Sequence, residues 1–202
     1  MERTGTIFLV RHGETDWNRS GRIMGELPIP LNPQGAGQAE RLALFLRGRP
    51  IGAIYSSPAV RAQETASILA SALELSVMLD AGLTEIGVGE WEGRYWKDLT
   101  EDLSRRNLYA QPEEARPPGG ETLCEVQSRA VAAVERTRGW THPEAVVLVS
   151  HADVVRAIVA HYLGFELRTI RQVRIDHASL TALELKGPLA DLLFMNYVPI
   201  LS

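Results

Sequence analysis

Two short apolar runs, far apart in the chain, each end in a histidine followed by a very small residue. The first reads Ile7-Phe8-Leu9-Val10 and stops at Arg11-His12-Gly13; the second reads Val146-Val147-Leu148-Val149 and stops at Ser150-His151-Ala152. Unbroken apolar runs of this length are the pattern of strands covered on both faces, as in parallel sheets flanked by helices. In such sheets ligands gather at the carboxyl ends of the strands, and a glycine there lets the chain turn without a Cβ clash. If the two strands are neighbours, one rim of the sheet carries two imidazoles and the Arg11 guanidinium. That assigns His12 and His151 to chemistry rather than to packing.

The intervening sequence alternates between strand and helix patterns. Residues 20–33 are rich in Gly, Pro and Asn and read as a loop over the pocket. Asn32-Pro33 supplies a cap and a first-turn proline for a helix running to Arg47. A strand over 53–56 leads through Ser56-Ser57-Pro58 into a helix whose Val60, Ile68, Leu69 and Leu73 mark the buried stripe. Arg61 falls in the first turn of that helix, where the dipole disfavours a cation. It is either an exposed surface arginine or a group whose placement a nearby anion offsets.

A strand over 76–79 is followed by an irregular segment, 83–93, whose three glycines deny it regular structure while Leu83, Ile86, Val88 and Trp91 anchor it. Such a loop can hold a carboxylate at a fixed point. Residues 94–109 read as a helix, 111–120 as a Pro/Gly-rich link, and 121–140 as a long amphipathic helix with Glu121 in its first turn. The second histidine run leads into a helix over 153–163 stopped by Gly164. Two further β-like runs, 179–185 and 189–198, close the sequence. The βαβα alternation with short links predicts an α/β fold, three-layer α/β/α, doubly wound on a mostly parallel sheet. It predicts one domain over 1–202, with a small lid or insert at about 87–120.

Composition narrows the partners. The 202 residues are 45% hydrophobic and carry a formal charge of -4, so there is no broad attraction for nucleic acid or acidic membranes, and an anion must be bound by a local cluster. Of the 21 basic residues only Lys97 and Lys186 are lysines. The single Cys124 allows no internal disulfide, which fits a reducing compartment. Nowhere do about 18 apolar residues run together, and the start shows no signal-peptide pattern, so a cytoplasmic protein without a membrane span is expected. A homodimer is the default expectation for its oligomeric state.

With both histidine runs in view, the chain resembles the histidine phosphatase superfamily, also called the phosphoglycerate mutase-like family. The residues that carry the resemblance are Leu9-Val10-Arg11-His12-Gly13-Glu14-Thr15 with Asn18, then Pro30-Leu31, Gly35 and Gln38-Ala39. They continue with Ser56-Ser57-Pro58, Arg61-Ala62, Glu64-Thr65-Ala66, Leu83 with Glu85, and Gly89-Glu90-Trp91-Glu92-Gly93. Gly119-Gly120-Glu121 and Val149-Ser150-His151 complete the set. The matches run in order over about three quarters of the chain, far more than a bare Arg-His-Gly.

The resemblance implies that His12 is a nucleophile that becomes a phosphohistidine and that Glu85 is the general acid and later the base. It implies that Arg11, Arg61 and His151 bind the transferred phosphoryl group, assisted by Asn18; Gly25 is a further substrate-binding candidate, the amide of Ala152 at the next helix start offers a further donor, and no metal or other cofactor is expected. A neutral imidazole is a competent nucleophile near pH 7, and fixed guanidinium forks meet the charge that spreads over the phosphoryl oxygens. Glu90 and Glu92 compete with Glu85 for the acid role, while His142, His161 and His177 read as structural or exposed.

Departures from the family pattern bear on the substrate. Met24-Gly25 stands where many relatives have Gln-Gly, which makes the loop drier, and Asp153 stands where many have a second glycine. Asp153 either caps its helix or discourages a second anionic group. Phosphoglycerate mutases carry Arg-His-Tyr directly after the matching glutamate, against Ile86-Gly87-Val88 here. A phosphatase acting on a small phosphorylated metabolite is therefore expected. A bisphosphate-dependent phosphomutase and a phospho-ligand binding module that has lost turnover are the alternatives. Specificity is expected from residues 87–120, where Trp91, Arg94, Tyr95, Trp96, Lys97 and Arg116 line the pocket or only pack its cover.

Overall fold

The computed structural model describes residues 5–137 and 144–200. The chain runs through β1 (Gly5–Arg11), α1 (Asp16–Ser20), α2 (Pro33–Leu46), β2 (Ile51–Ser56), α3 (Val60–Leu73) and β3 (Val77–Leu79). It continues through α4 (Leu103–Asn107), α5 (Leu123–Thr137), β4 (Ala145–Ser150), α6 (Ala152–Leu163), β5 (Leu180–Lys186) and β6 (Leu189–Tyr197). Among the described residues four short 3-10 segments lie between them.

The six strands of the described residues form one sheet in the order β3-β2-β4-β1-β5-β6. The first four in that order are parallel, and β5 and β6 are antiparallel additions. The two histidine-bearing strands are thus central neighbours, in register from Ile7 opposite Val146 to Arg11 opposite Ser150. His12 and His151 leave the sheet side by side, and the His12 amide donates to the Ser150 carbonyl at 2.9 Å.

Period-two alternation sorts the strand residues onto two cores. Leu9, Val146, Leu148 and Leu183 pack with α5 and α6 on one face. Val10, Ile54, Val147 and Val149 pack with α2 and α3 on the other. Every residue of β4 is buried, which accounts for its unbroken apolar run. The chain leaves β1 by way of α2 on one face and returns to β4 by way of α5 on the other. A topological switch point therefore falls between β1 and β4, where ligand crevices form in open α/β sheets.

Several local readings are corrected. The helix expected over 94–109 is broken into a 3-10 turn (Trp96–Leu99) and α4. The cause is Asp102, whose carboxylate caps α4 through the Ser104 and Arg105 amides and also accepts the Trp91 indole N–H at 3.1 Å. Glu121 lies before α5, not in its first turn; the cap is a reciprocal Thr122–Glu125 box, a T-x-x-E pattern visible in the sequence. The helix α1 inside the first motif was not anticipated, although Thr15 and Asn18 form its capping box. Helix α6 starts at Ala152, one residue earlier than expected. The expected end of the long helix at Trp140, and His142, lie outside the described residues.

Candidate active site

The two imidazoles meet at 5.1 Å between ring centroids, edge to face, at the switch point. Both are buried. His12 Nδ1 lies 2.7 Å from the Gly13 carbonyl, which can only accept, so Nδ1 carries the proton and Nε2 keeps its lone pair. For His151, Nδ1 faces an Arg61 donor at 3.3 Å and must accept, so Nε2 donates to the Ser57 hydroxyl at 2.8 Å. Burial, then the charge of Arg61, depresses both histidines well below the ordinary value, and both feel Arg11 as well. Both rings are therefore neutral in the unliganded site. The loop after His12 is held close to α2, because a Cβ on Gly13 would come within 2.4 Å of the Gly35 carbonyl oxygen.

Arg61 is 0% exposed, which excludes the surface-arginine alternative. Its guanidinium donates to the carbonyls of Gly25 (2.8 Å) and Leu27 (3.4 Å), but among the described residues Nε has no partner and no carboxylate is bonded to it. Arg11 is aimed by the Ile175 carbonyl (2.8 Å) and by His177 Nε2 (2.7 Å), and its Nε is likewise buried without a partner among the described residues. Burial pushes Arg11 down to about 10, so it stays charged near neutrality. Two buried cations with unused donors call for an anion.

His177 corrects the reading that made it structural or exposed. It is half-buried, its ring 6.0 Å from that of His12, and burial and Arg11 hold it down to about 4, so that it accepts from Arg11 as the neutral base. No local motif marks it; it arrives from the turn before β5. His161 is exposed.

Glu85 lines the same cavity as Arg11, Arg61 and Asn18. Burial, then Asp153, raises its carboxyl to about 7, against the opposing pull of Arg61 and Arg11. Oε2 is 3.8 Å from His151 Nδ1. Its competitors do not line it: Glu90 is exposed, and Glu92, packed beside Gly25, accepts the Glu26 amide at 2.7 Å.

The Glu85 segment is held by a residue that the sequence did not single out, Arg129 of α5. Its guanidinium donates to the carbonyls of Gly82 (3.0 Å), Thr84 (2.6 Å) and Glu85 (3.0 Å). It is itself clamped by both carboxylate oxygens of Glu121 at 2.8 Å, and Glu121 also accepts the Gly87 amide at 2.8 Å. Glu85 is thus fixed on both sides along the chain. Neither residue sits at a helical spacing that would announce the pair.

The remaining expected residues fall into place unevenly. Asn18 uses its carbonyl oxygen on Thr15, its Nδ2 has no partner among the described residues, and the residue lines the cavity. Ala152 opens α6, which has no side-chain cap, and lines the same space. Gly25 lines it too, its carbonyl serving Arg61; a Cβ there would strike Glu92 and Val88. Asp153 neither caps α6 nor stands free, since it accepts from the Tyr109 hydroxyl (3.0 Å) and Arg156 (2.9 Å). Of the residues expected to shape specificity, Trp96 lines the cavity. Trp91 is buried beside it, and Arg116 pairs with Glu125 away from it. The cavity is about 240 Å³; a larger apolar groove of about 720 Å³ between α2 and α3 holds no histidine or arginine.

Arg11, His12, Arg61, Glu85 and His151 therefore converge on one crevice although they come from four separate segments. A family model described as Histidine phosphatase superfamily (branch 1) matches residues 7–197. The chain belongs to the histidine phosphatase superfamily.

Within the superfamily, the chain is 33% identical over 180 residues to "Probable phosphoglycerate mutase GpmB" of Escherichia coli, covering 88% of this chain and 84% of that one. Among solved structures it is similar to a mycobacterial glucosyl-3-phosphoglycerate phosphatase in complex with VO3. The TM-score is 0.87 at 27% identity, over 95% of this chain and 98% of that one. It is also similar to a phosphoserine phosphatase from Entamoeba histolytica in complex with 3-phosphoglyceric acid. There the TM-score is 0.87 at 26% identity, over 96% and 97%. No helix among the described residues is long and apolar enough to cross a membrane.

Proposed function

We propose that the protein is a phosphomonoesterase that hydrolyses a small phosphorylated metabolite through a phosphohistidine on His12. The observation that carries the reading is the pair of buried guanidinium groups, Arg11 and Arg61, each with an unpartnered Nε, beside a histidine whose Nε2 lone pair is free. A phosphoryl dianion fits that charge, and Asn18 Nδ2 and the start of α6 add neutral donors. His12 Nε2 attacks phosphorus in line with the ester oxygen. The protonated Glu85 gives its proton to that leaving oxygen, and the resulting carboxylate takes one from the water that attacks the phosphohistidine. A carboxyl near 7 suits both steps. Arg11 and Arg61 neutralise charge on the transferred group throughout, so the reaction is read as needing no metal.

A phosphomutase is the second reading, favoured by the name of the 33% identical relative. Against it, Ile86-Gly87-Val88 after Glu85 supply no cation for an acid substrate. Phosphate release from a panel of small phosphate esters including 3-phosphoglycerate, in chelator, with His12→Ala alongside, decides between them. Release lost in the variant supports the phosphatase. Isomerised phosphoglycerate without free phosphate establishes the mutase, and tight binding without turnover establishes a binding module.

A further inference from the structure

The cavity lined by Arg11, Arg61 and Glu85 adjoins a second chamber of about 300 Å³ walled by Trp96, Arg105, Leu108, Tyr109 and Arg171. Trp96, Leu108 and Tyr109 line both spaces, so the two share a wall. Arg105 comes from α4 and Arg171 from the 3-10 turn Leu167–Gln172 that follows α6. Remote parts of the sequence thus deliver two guanidinium groups to one concavity.

Neither guanidinium has a hydrogen-bond or carboxylate partner among the described residues. Their neighbours do: Arg106 pairs with Glu101, Arg168 with Glu166 and Arg174 with Asp176. Arg105 and Arg171 instead lie near aromatic rings, with Cζ 5.9 Å from the Trp96 centroid and 5.3 Å from the Tyr109 centroid respectively. A guanidinium beside a ring is steered by it and keeps its N–H edges for a planar or tetrahedral anion. The carboxylates at hand are committed. Asp153 is bonded to Tyr109 and Arg156, and Asp102 to Trp91 and the start of α4. Half-buried Arg105 and exposed Arg171 thus place two like charges without a carboxylate partner on one hollow of a chain whose net charge is -4.

We propose that this chamber is a subsite for a second anionic group, a carboxylate or a phosphate, at the end of the substrate remote from the transferred phosphoryl group. The inference rests on the phosphomonoesterase reading for the inner end of the substrate. Trp96, Leu108 and Tyr109 then flank the carbon skeleton between the two anions, and esters without the outer anion are poor substrates.

The test is a length series with three arms: alkyl phosphates, phosphate esters of ω-hydroxy acids and alkanediol bisphosphates, each of stepwise increasing chain length. Each is assayed for kcat and KM with wild type and with the Arg105→Ala/Arg171→Ala double variant. At one length an anion-tipped ester is expected to show a KM roughly tenfold or more below that of its alkyl counterpart, as a charge-assisted contact implies. In the double variant that ratio falls to about one. Which of the two anionic arms responds identifies the group. Absence of any advantage at every length, or an advantage that survives loss of both arginines, overturns the subsite. If wild type hydrolyses none of the esters, the phosphomonoesterase reading fails by itself. Calorimetric titration of the three arms onto His12→Ala, with and without the double substitution, then decides the subsite on the same ratio.

Discussion

Replacing Glu85 by Gln is expected to abolish turnover and yet make the protein more stable at alkaline pH. The carboxyl is raised from 4.5 to about 7, first by burial and then by Asp153, so the folded state favours its neutral form. An unfolded chain ionises the same group near 4.5. As pH climbs from 4.5 to 7 the unfolded state is therefore stabilised relative to the folded one, and the cost reaches its full value above 7. The gap corresponds to about 3 kcal/mol if fully expressed. The side chain is 19% exposed, so about 2 kcal/mol is the better expectation. Glutamine keeps the shape and can still accept the Ile86 amide at 3.0 Å, but it carries no charge to bury. For a chain of 202 residues, about 2 kcal/mol is worth roughly 4–8 °C in Tm. Thermal denaturation of wild type and Glu85→Gln at pH 5 and pH 8.5 measures it. The variant should gain several degrees at pH 8.5 and much less at pH 5. Equal gains at the two pH values, or a loss at pH 8.5, would show that Glu85 is not a neutralised buried acid.

Inorganic phosphate should stabilise the wild type by about 2.7 kcal/mol at a hundred times its Kd, seen as a higher Tm; in Arg61→Met, which removes a buried cation lacking a bonded carboxylate, a titration should find this rise largely gone while the Tm without phosphate holds or increases. Arg129→Met should lower kcat roughly tenfold or more with KM little changed, and should move the pH near 7 above which activity falls, because it releases the Glu85 segment. A pH–rate profile that keeps its midpoint while activity drops would reduce Arg129 to a purely structural residue. His177→Phe leaves Arg11 Nη2 without its acceptor, and a several-fold rise in KM is expected in steady-state assays, with kcat affected less. Radiolabelled substrate should label wild type at His12, and rapid quench of His12→Ala should show no labelled protein.

Much of the crevice was legible because short segments of the chain place it. Each histidine closes an apolar strand, and parallel pairing of those strands needs only their register to bring the rings together. Arg61 was half legible. A cation at a helix start is locally unfavourable, and that conflict points to an anion, but only burial to 0% excludes a surface role. Glu85 was separated from Glu90 and Glu92 by tertiary contacts, since the three share one irregular loop whose path no period predicts. The 94–109 segment was misread because helical propensity outweighed one residue, Asp102, whose partners Trp91 and the α4 amides are set by the fold.

By itself the sequence determined the layered α/β architecture, the two strand-end histidines and the ordered motifs around them, since these depend on periodicity and on neighbours a few residues apart. Only the tertiary structure decided which nitrogen of each histidine is free, that His177 aims Arg11, and that Arg129 and Glu121 grip the Glu85 segment. It alone brought Arg105 and Arg171 to one chamber. Those features depend on side chains from separate elements meeting at hydrogen-bond distance, and a linear pattern holds no record of which distant donor a buried carbonyl will find.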